Sequence, residues 1–428
     1  MHKETWIKTV CAVALIAVSV FALGGFFIGG ASGVTYRLGD RSKITPLSRE
    51  NITYKEVNAP AATSMDGTVS AKDWAAEYPE IAESMWANKE NDYVTSYLEQ
   101  DPYLVNIYEG YGFAKDYGSA RGHEYCFEDV HKTERPHPMA NCLTCKTPNF
   151  TKLVNDLGVD AYTMDFEEVF AAMEENTSCY NCHGNDAGSK GKLVVTHSYV
   201  QKALGDNMTA IDPAVLSCGQ CHIEYYFAPE TKETSMPYSN VESMTPAAIY
   251  QYYEKMQFSD WTQESTGAEM LKAQHPEMET FLLGKHAGLL NCADCHMPIE
   301  VTEDGTVYHS HKWISPLESQ DILATCAQCH PDTDMAEVVH GIQDRVTARE
   351  SAVGNKLSEF KDALAAANGS GTWSEENITK VRKVYREAQW YFDFCYVENS
   401  EGAHNSALAT QCLDTSEELI DKGMEMLA

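Results

Sequence analysis

The 428-residue sequence predicts a mostly α-helical protein, with short helices before residue 331 and long helices after it. Apolar residues recur at helical spacing between Met335 and Leu364, and the alternation typical of strands is scarce throughout the chain. Between Trp74 and Pro331, Gly, Pro and Asn interrupt the chain at short intervals, so helices there must be short. The hydrophobic fraction of 43% is enough for a packed core and excludes a wholly disordered chain.

The N-terminal segment has the composition of a membrane anchor or an export signal. Residues 1–8 contain Lys3 and Lys8, and they precede an uncharged, largely apolar segment at residues 9–36. About 20 apolar residues span a bilayer as a helix, whereas the apolar part of a cleaved signal is usually shorter, about 7–15 residues. We therefore expect a cytoplasmic N-terminus and a retained anchor, while Ala31-Ser32-Gly33 leaves cleavage open. In either case the rest of the chain is exported, to the periplasm or the outer face of the cytoplasmic membrane.

Three regions follow the anchor. Residues 37–75 are polar and lack periodicity, so we expect a stalk. Residues 76–331 contain most of the cysteines and form the expected catalytic region. Residues 332–428 carry apolar stripes at helical spacing, which predict packing in a core or bundle and, in part, a dimer interface.

The ends of the long helices can be predicted from their capping residues. Asn368-Gly369 is a stop signal for the first helix, because glycine favours the left-handed conformation that follows a helix. Ser374 is a good first residue for the second helix, which should reach about Val397, since acidic residues follow the serine in the first turn. A third helix is expected over residues 406–426.

Charge and cysteine content narrow the class of function. The formal net charge is −31, from 32 Lys and Arg against 63 Asp and Glu, which argues against a nucleic-acid-binding protein. Ten of the 14 cysteines form five C-x-x-C pairs. In a long chain, such tight pairs indicate metal or haem chemistry rather than disulfide bonds, although a Cys395–Cys412 disulfide is permitted in an exported protein.

Four of the pairs are followed directly by histidine, and C-x-x-C-H is the attachment motif of c-type haem. Two thiols three residues apart lie on one face of a helical turn and can both bond the porphyrin, and the adjacent imidazole can reach the iron. The alternatives are zinc knuckles or redox dithiols, but four such motifs in one exported chain favour haem. They are motif 2 (Cys179, Cys182, His183), motif 3 (Cys218, Cys221, His222), motif 4 (Cys292, Cys295, His296) and motif 5 (Cys326, Cys329, His330).

The first pair, motif 1, consists of Cys142, Cys145 and Lys146, and it places lysine where the other motifs have histidine. If motif 1 also holds a haem, its axial ligand is a primary amine that must lose its proton to bind iron. The alternative is a solvated lysine beside a C-x-x-C pair without haem. Candidate second ligands for the other haems include His123, His286, His311 and His404. Two histidines close a haem to substrate, so the motifs predict four electron-transfer haems and one reaction centre.

The order of one C-x-x-C-K pair and four C-x-x-C-H pairs resembles the pentahaem, ammonia-forming cytochrome c nitrite reductases. The resemblance extends from about residue 85 to the C-terminus and implies a multihaem cytochrome c fold, with short helices around five covalent haems. Further segments agree with it, namely Arg121-Gly122-His123, the run Cys221-His222-Ile223-Glu224-Tyr225-Tyr226-Phe227, Phe258-Ser259-Asp260-Trp261, and Leu271-Lys272-Ala273-Gln274-His275-Pro276-Glu277.

The resemblance also implies roles for individual residues. Lys146 would be the proximal ligand of the catalytic haem, with Arg135, Tyr225 and His275 in the distal pocket. The second ligands would be His123 for motif 3, His311 for motif 2, His404 for motif 4 and His286 for motif 5. One Ca²⁺ would be held by Glu224, Tyr225, Lys272 and Gln274, with Tyr225 and Lys272 contributing backbone carbonyls. The residues alone leave three alternatives: Arg135 in a surface loop, Tyr225 in the core, and His275 as a haem ligand.

The activity that the resemblance implies is six-electron reduction of nitrite to ammonium. It further implies a membrane quinol-oxidising multihaem cytochrome as electron donor and a homodimer built on the long helices. The alternatives are a non-enzymatic multihaem electron carrier, with every haem closed, and a reductase or oxidase of related small nitrogen or sulfur compounds such as sulfite or hydroxylamine.

Overall fold

The computed structural model describes residues 56–189 and 191–428, and these residues are mostly α-helical, as the sequence predicts. The predicted N-terminus and anchor, residues 1–36, and the first part of the stalk lie outside the described residues. Within the described ranges, every helix is too short or too polar to cross a membrane.

Short elements precede three long helices. The strands pair as three antiparallel hairpins, β1–β2, β3–β4 and β5–β6; they are β1 (Tyr226–Phe227), β2 (Thr234–Ser235), β3 (Trp261–Gln263), β4 (Ala268–Met270), β5 (Ile299–Val301) and β6 (Val307–His309). The α-helices are α1 (Ala71–Trp74), α2 (Pro79–Trp86), α3 (Tyr97–Gln100), α4 (Tyr103–Ile107), α5 (Cys126–Lys132), α6 (Pro148–Leu157), α7 (Phe166–Phe170), α8 (Cys179–His183), α9 (Ser198–Leu204), α10 (Pro213–Cys218), α11 (Pro246–Met256), α12 (Glu277–Leu282), α13 (Cys292–His296), α14 (Gln320–Cys326), α15 (Met335–Ser370), α16 (Glu375–Tyr396) and α17 (Ser406–Leu427).

The three predicted long helices are confirmed, with ends set by capping residues. Helix α15 continues one residue past the predicted stop, and Gly371 then takes a left-handed conformation with φ of 65°. Helix α16 starts after Ser374, whose hydroxyl accepts a hydrogen bond from the backbone N–H of Asn377. The side chain of Asn405 caps α17 in the same way, through the N–H of Leu408.

Residues 56–75, predicted as part of a polar stalk, instead pack against the region that carries the cysteine motifs. Trp74 is only 2% exposed. The backbone N–H of Val69 donates to the side chain of Asn185 over 2.8 Å, and that of Val57 donates to the carbonyl of Gly188 over 2.9 Å. The polar composition therefore supports hydrogen bonds across the fold as well as contact with water, and composition alone could not distinguish the two.

The long helices pack closely on one another and on the shorter elements. Gly423 allows α17 to approach Phe360 of α15, because a Cβ at this position would overlap the phenyl ring. Helix α16 faces the central elements: Trp390 donates to the carbonyl of Pro246 over 2.9 Å, and Arg386 donates to Glu254 and to the carbonyl of Glu269. The C-terminal helices thus fix the backbone that leads into β4 and the segment after it.

Glu350 of α15 provides a test of this packing. It is buried and accepts a hydrogen bond from the thiol of Cys395 over 3.3 Å, and burial raises its pKa from 4.5 to about 8. The unfolded chain therefore releases this proton near pH 4.5, whereas the folded chain keeps it to about pH 8. The contribution of Glu350 to the free energy of unfolding should fall as pH rises through that window, by on the order of 4 kcal/mol.

We expect the Glu350→Gln variant to gain stability over the wild type as pH increases from 5 to 8, measured by chemical unfolding at each pH. Glu359→Gln, exposed on the same helix, is the matched control. Parallel stability curves for Glu350→Gln and the wild type would contradict the prediction.

Candidate haem and active site

Each cysteine motif lies on a helical turn, which brings its two thiols to the same side. Motifs 2 and 4 are helices α8 and α13. In motifs 3 and 5 the first cysteine ends a helix, and the histidine N–H bonds back to the carbonyl of that cysteine, over 3.1 Å and 3.0 Å. Motif 1 begins within the 3₁₀ turn Ala140–Leu143, which contains Cys142, and the N–H of Lys146 donates to the carbonyl of Leu143 over 3.0 Å.

Histidines distant in sequence face the histidines of three motifs. The ring centres are 6.0 Å apart for His123 and the motif 3 histidine, 6.5 Å for His311 and the motif 2 histidine, and 6.1 Å for His404 and the motif 4 histidine. Metal–nitrogen bonds of about 2 Å on both sides of one ion put two imidazole centres about 6 Å apart. The residues present therefore fit haem iron between each pair.

Hydrogen bonds orient these rings. The Nδ1 atoms of His183, His296 and His311 lie 2.8, 2.9 and 3.0 Å from the backbone carbonyls of Lys192, Ile314 and His309, respectively. A carbonyl only accepts, so Nδ1 carries the proton and Nε2 is left as the metal-binding nitrogen.

His286 and His330, the fourth predicted pair, are close enough to interact electrostatically. Burial lowers the pKa of His286, and the charge of His330 lowers it further. Cys329 and His330 are exposed in the described structure, in contrast to the thiols of the other motifs.

The thiols of different motifs are neighbours. Cys145 of motif 1 interacts with Cys221 of motif 3, Cys182 of motif 2 and Cys292 of motif 4 both lie near Cys218 of motif 3, and Cys326 of motif 5 lies near Cys295 of motif 4. The attachment points therefore form a continuous series through the protein, which short-range electron transfer between haems requires.

The predicted catalytic residues gather around motif 1. Burial raises the pKa of both Cys142 and Tyr225, and the positive charge of Arg135 opposes each rise. The guanidinium lies 4.4 Å from the ring centre of Phe113, and Nε donates to Thr133 Oγ1 over 3.0 Å. Arg135 is half-buried in the loop after α5, between the exposed Glu134 and Pro136, and Tyr225 borders the motif 1 thiols.

His275 is held beside Lys146 with an unsatisfied nitrogen. Its backbone N–H donates to the carbonyl of Ile223 over 3.2 Å, whereas its buried Nδ1 has no hydrogen-bond partner in the described residues. The pKa of His275 is lowered to about 4, mainly by burial; the negative charge of Glu277 opposes this shift, and the positive charge of Lys146 adds to it. An unsatisfied buried nitrogen is costly, so this geometry favours a ligand or substrate that bonds to it.

The predicted calcium ligands also lie together. Glu224 is fully buried and accepts hydrogen bonds from the backbone N–H of Gln274 over 2.6 Å and the hydroxyl of Tyr253 over 2.8 Å. The side-chain amide of Gln274 contacts the carbonyl of Lys272 over 2.9 Å. Burial raises the pKa of Glu224 well above its ordinary value, so a cation is needed to keep it ionised, and these oxygens suit Ca²⁺.

The side chain of Lys272 is held by Ala273 and Asp393, which leaves its backbone carbonyl for the role that the resemblance implies. Its ammonium donates to the carbonyl of Ala273 over 2.8 Å, lies 3.3 Å from Asp393 Oδ1, and is 4.9 Å from the ring centre of Phe113. Asp393 also accepts from the N–H of Ala273 over 2.7 Å. Sequence reasoning missed Asp393. The only sign of its importance in the sequence is that it is a single acidic residue within the apolar stripe of α16.

His197 is a second residue whose role the sequence did not indicate. It is buried between motifs 1 and 3, where Nε2 lies 3.2 Å from the carbonyl of Thr144 and Nδ1 lies 3.2 Å from Gln220 Oε1. Both of these partners lie between the cysteines of a motif, so His197 links the two attachment turns.

The cysteines outside the motifs are free thiols in the described structure. Cys395 and Cys412 are buried without a disulfide, and the thiol of Cys126 donates to the carbonyls of His123 and Lys146. Cys126 therefore supports the backbone of one predicted distal ligand and of the predicted lysine ligand.

Comparison with known proteins agrees with this arrangement. A family model described as cytochrome c552 matches residues 70–428. The cytochrome c-552 of Desulfotalea psychrophila is 31% identical over 385 residues, and the match covers 82% of this chain and 73% of that protein. The solved structure of the cytochrome c nitrite reductase from Desulfovibrio desulfuricans has a TM-score of 0.74 and 27% identity, covering 84% of this chain and 86% of that one. The predicted multihaem cytochrome c fold is thereby confirmed, and the chain belongs to the cytochrome c552 family.

Proposed function

We propose that this protein is a cytochrome c nitrite reductase that converts nitrite to ammonium at a lysine-ligated haem c. The observation that carries the proposal is the position of Arg135, Tyr225 and His275 around motif 1, whose axial residue is Lys146. The similarity to the Desulfovibrio desulfuricans nitrite reductase supports it.

The proposal includes five covalent haems. Motifs 2 to 5 each hold a haem with two histidine ligands, using His311, His123, His404 and His286 in that order. The ring separations near 6 Å support the first three pairs. Reduction of nitrite to ammonium requires six electrons and eight protons, and a series of closed haems can supply electrons without release of intermediates.

The residues of the pocket each have a distinct task. When bound, the haem of motif 1 supplies the iron that binds nitrite and the electrons that reduce it. Arg135 presents a planar set of donors to the nitrite anion. His275 is neutral near pH 7 because of its lowered pKa, so it donates a hydrogen bond from its N–H and can pass on a proton. Tyr225 adds a hydroxyl donor.

Calcium stabilises this pocket in the proposed mechanism. Glu224 and Gln274 lie next to Tyr225 and His275 in the sequence, so a cation bound to them fixes both catalytic residues. The catalytic subunit of the Desulfovibrio desulfuricans enzyme has two calcium sites, which supports a calcium role for these ligands.

Replacing Glu224 by glutamine should weaken calcium binding, because the amide removes the only carboxylate among the proposed ligands. We expect the variant to lose its calcium to EGTA at about tenfold to hundredfold lower chelator concentration, and its KM for nitrite to rise. Calcium content by atomic emission and nitrite kinetics measure the two effects. Glu264→Gln, exposed in the turn between β3 and β4, is the control, and equal calcium retention in all three proteins would contradict the assignment.

Spectroscopy of the holoprotein tests the proposed function directly. We expect about one haem in five to be high-spin and to change its spectrum when nitrite is added, because only motif 1 lacks a second protein ligand. A wholly low-spin protein that is unaffected by nitrite would instead indicate an electron carrier.

The proposal extends to location and partners. The protein is exported and held at the membrane by residues 9–36, and it receives electrons from a quinol-oxidising multihaem cytochrome. Two copies associate through the long C-terminal helices. Anchoring donor and acceptor to one membrane raises their effective concentration.

A further inference from the structure

The loop between α16 and α17 places a buried carboxylate on one of the proposed haem ligands. Glu398 Oε1 lies 2.6 Å from His404 Nδ1, and Glu398 is only 4% exposed. Its other oxygen, Oε2, accepts a hydrogen bond from the hydroxyl of Ser400 over 2.5 Å. None of these contacts is needed to explain how His404 reaches motif 4.

His404 differs in this respect from three other ligand histidines. The Nδ1 atoms of His183, His296 and His311 all donate to backbone carbonyls, whereas His404 donates to a carboxylate. A carboxylate carries a full negative charge and is a stronger acceptor than a neutral carbonyl. Its burial makes the interaction stronger still, because the local dielectric constant is low.

The loop is constrained, so this contact is a fixed feature of the fold. Gly402 has a φ of +85°, and a Cβ there would lie 2.6 Å from Val346 of α15. The hydroxyl of Ser400 also accepts from the N–H of His404 over 2.9 Å, which closes a ring of contacts with Glu398. The next residue, Asn399, donates to the buried Glu277.

The charge has a definite consequence for electron transfer. Partial removal of the Nδ1 proton by a carboxylate makes the imidazole a more electron-rich ligand. An electron-rich ligand stabilises ferric iron more than ferrous iron, and hydrogen bonding around a haem ligand is one of the ways in which proteins set the potential.

We propose that Glu398 is a positioning residue that lowers the reduction potential of the haem held by motif 4, through its hydrogen bond to His404. The inference rests on the ligand assignment in the proposed function. With Glu398 as the partner of His404, this haem holds an electron less readily than it would with a carbonyl partner. The loop between α16 and α17 therefore influences how electrons are distributed along the haem series.

The test is a spectropotentiometric titration of the full-length holoprotein, with electron paramagnetic resonance to separate the haems. In the Glu398→Gln variant we expect the reduction potential of one haem in five to rise. The expected size is about a tenfold increase in its reduced-to-oxidised ratio at a fixed potential, which corresponds to about 59 mV for one electron. A variant with five haems and unchanged potentials would overturn the proposal.

Two further variants keep the test decisive. Ser400→Ala removes the hydroxyl that donates to Glu398 and shares its charge, so the reduction potential of the same haem should fall. If the Glu398→Gln variant fails to take up five haems, an unchanged potential in Ser400→Ala overturns the proposal. Glu350→Gln is the matched control in titrations above pH 8, where Glu350 is also ionised; it is a buried glutamate near this loop that bonds to a thiol instead of an imidazole. An equal upward shift in the control would also overturn the proposal.

A separate variant distinguishes failure of this inference from failure of the ligand assignment. His404→Ala should convert one low-spin haem to a high-spin form. If all four histidine-ligated haems stay low-spin, His404 is not a ligand and the assignment in the proposed function is wrong. If His404→Ala behaves as expected but the potentials do not respond to Glu398→Gln, only the inference about Glu398 fails.

Discussion

Replacement of Lys146 by alanine is expected to abolish nitrite reduction while the other four haems remain attached and low-spin. Lysine occupies the position that histidine occupies in motifs 2 to 5, so it is the feature that makes motif 1 chemically different. Loss of a residue that only supports a metal ligand costs about 10–100-fold in activity, and loss of the ligand itself should cost more. Steady-state nitrite reduction and the low-spin spectrum measure the two parts of this prediction.

The control for this variant is Lys152→Ala, on the helix that follows motif 1. Lys152 forms an ion pair with Asp156 within that helix, so its loss should leave activity near the wild-type value. Wild-type turnover in Lys146→Ala would show that the lysine is not the functional ligand and would remove the main reason to assign catalysis to motif 1.

Replacement of His275 by leucine is expected to lower kcat by about 10²–10⁴-fold, the range typical of a lost general acid or base. The unsatisfied, buried Nδ1 and the position beside Lys146 are the reasons for this expectation. Since the pKa of His275 is about 4, the side chain is neutral over the neutral pH range. Any inflection in kcat/KM that disappears in the variant should therefore lie near pH 4 and not near the usual histidine value of about 6.5.

The pH profile of kcat/KM for wild type and His275→Leu measures both effects. His340→Leu, an exposed histidine on α15, is the matched control and should retain full activity. If His275→Leu keeps the wild-type kcat, His275 has no part in proton delivery or substrate binding, and Arg135 and Tyr225 would be sufficient for the pocket.

Much of the haem chemistry could be predicted from local sequence. The thiols and the adjacent histidine or lysine of each motif lie within four residues of one another, and about one helical turn is enough to bring them together. The same holds for the long helices, whose apolar spacing and capping residues are local signals. The structure confirms those helices with ends within a residue or two of the prediction at Ser370, Tyr396 and Leu427.

Contacts that do not follow the spacing of a helix or a strand were beyond such reasoning. Composition predicted a stalk through residue 75, yet Val69 and Trp74 are buried against the catalytic region. The sequence alone did not indicate that Asp393 would hold Lys272, or that Glu398 would bond His404. A polar residue in a helix or loop has the same local pattern whether it faces solvent or a buried partner.

By itself, the sequence determined where the C-x-x-C motifs lie, which of them carries lysine, and where the long helices run, because these properties depend on neighbours within one or two turns. Only the tertiary structure decided which imidazoles face each other, which carboxylates are buried, and which oxygen accepts the hydrogen bond from each imidazole N–H. The pairing of imidazoles depends on packing between distant segments, such as His404 and motif 4, which are more than a hundred residues apart. The ring acceptors are nearer in sequence, but they lie in irregular segments whose course no local pattern encodes.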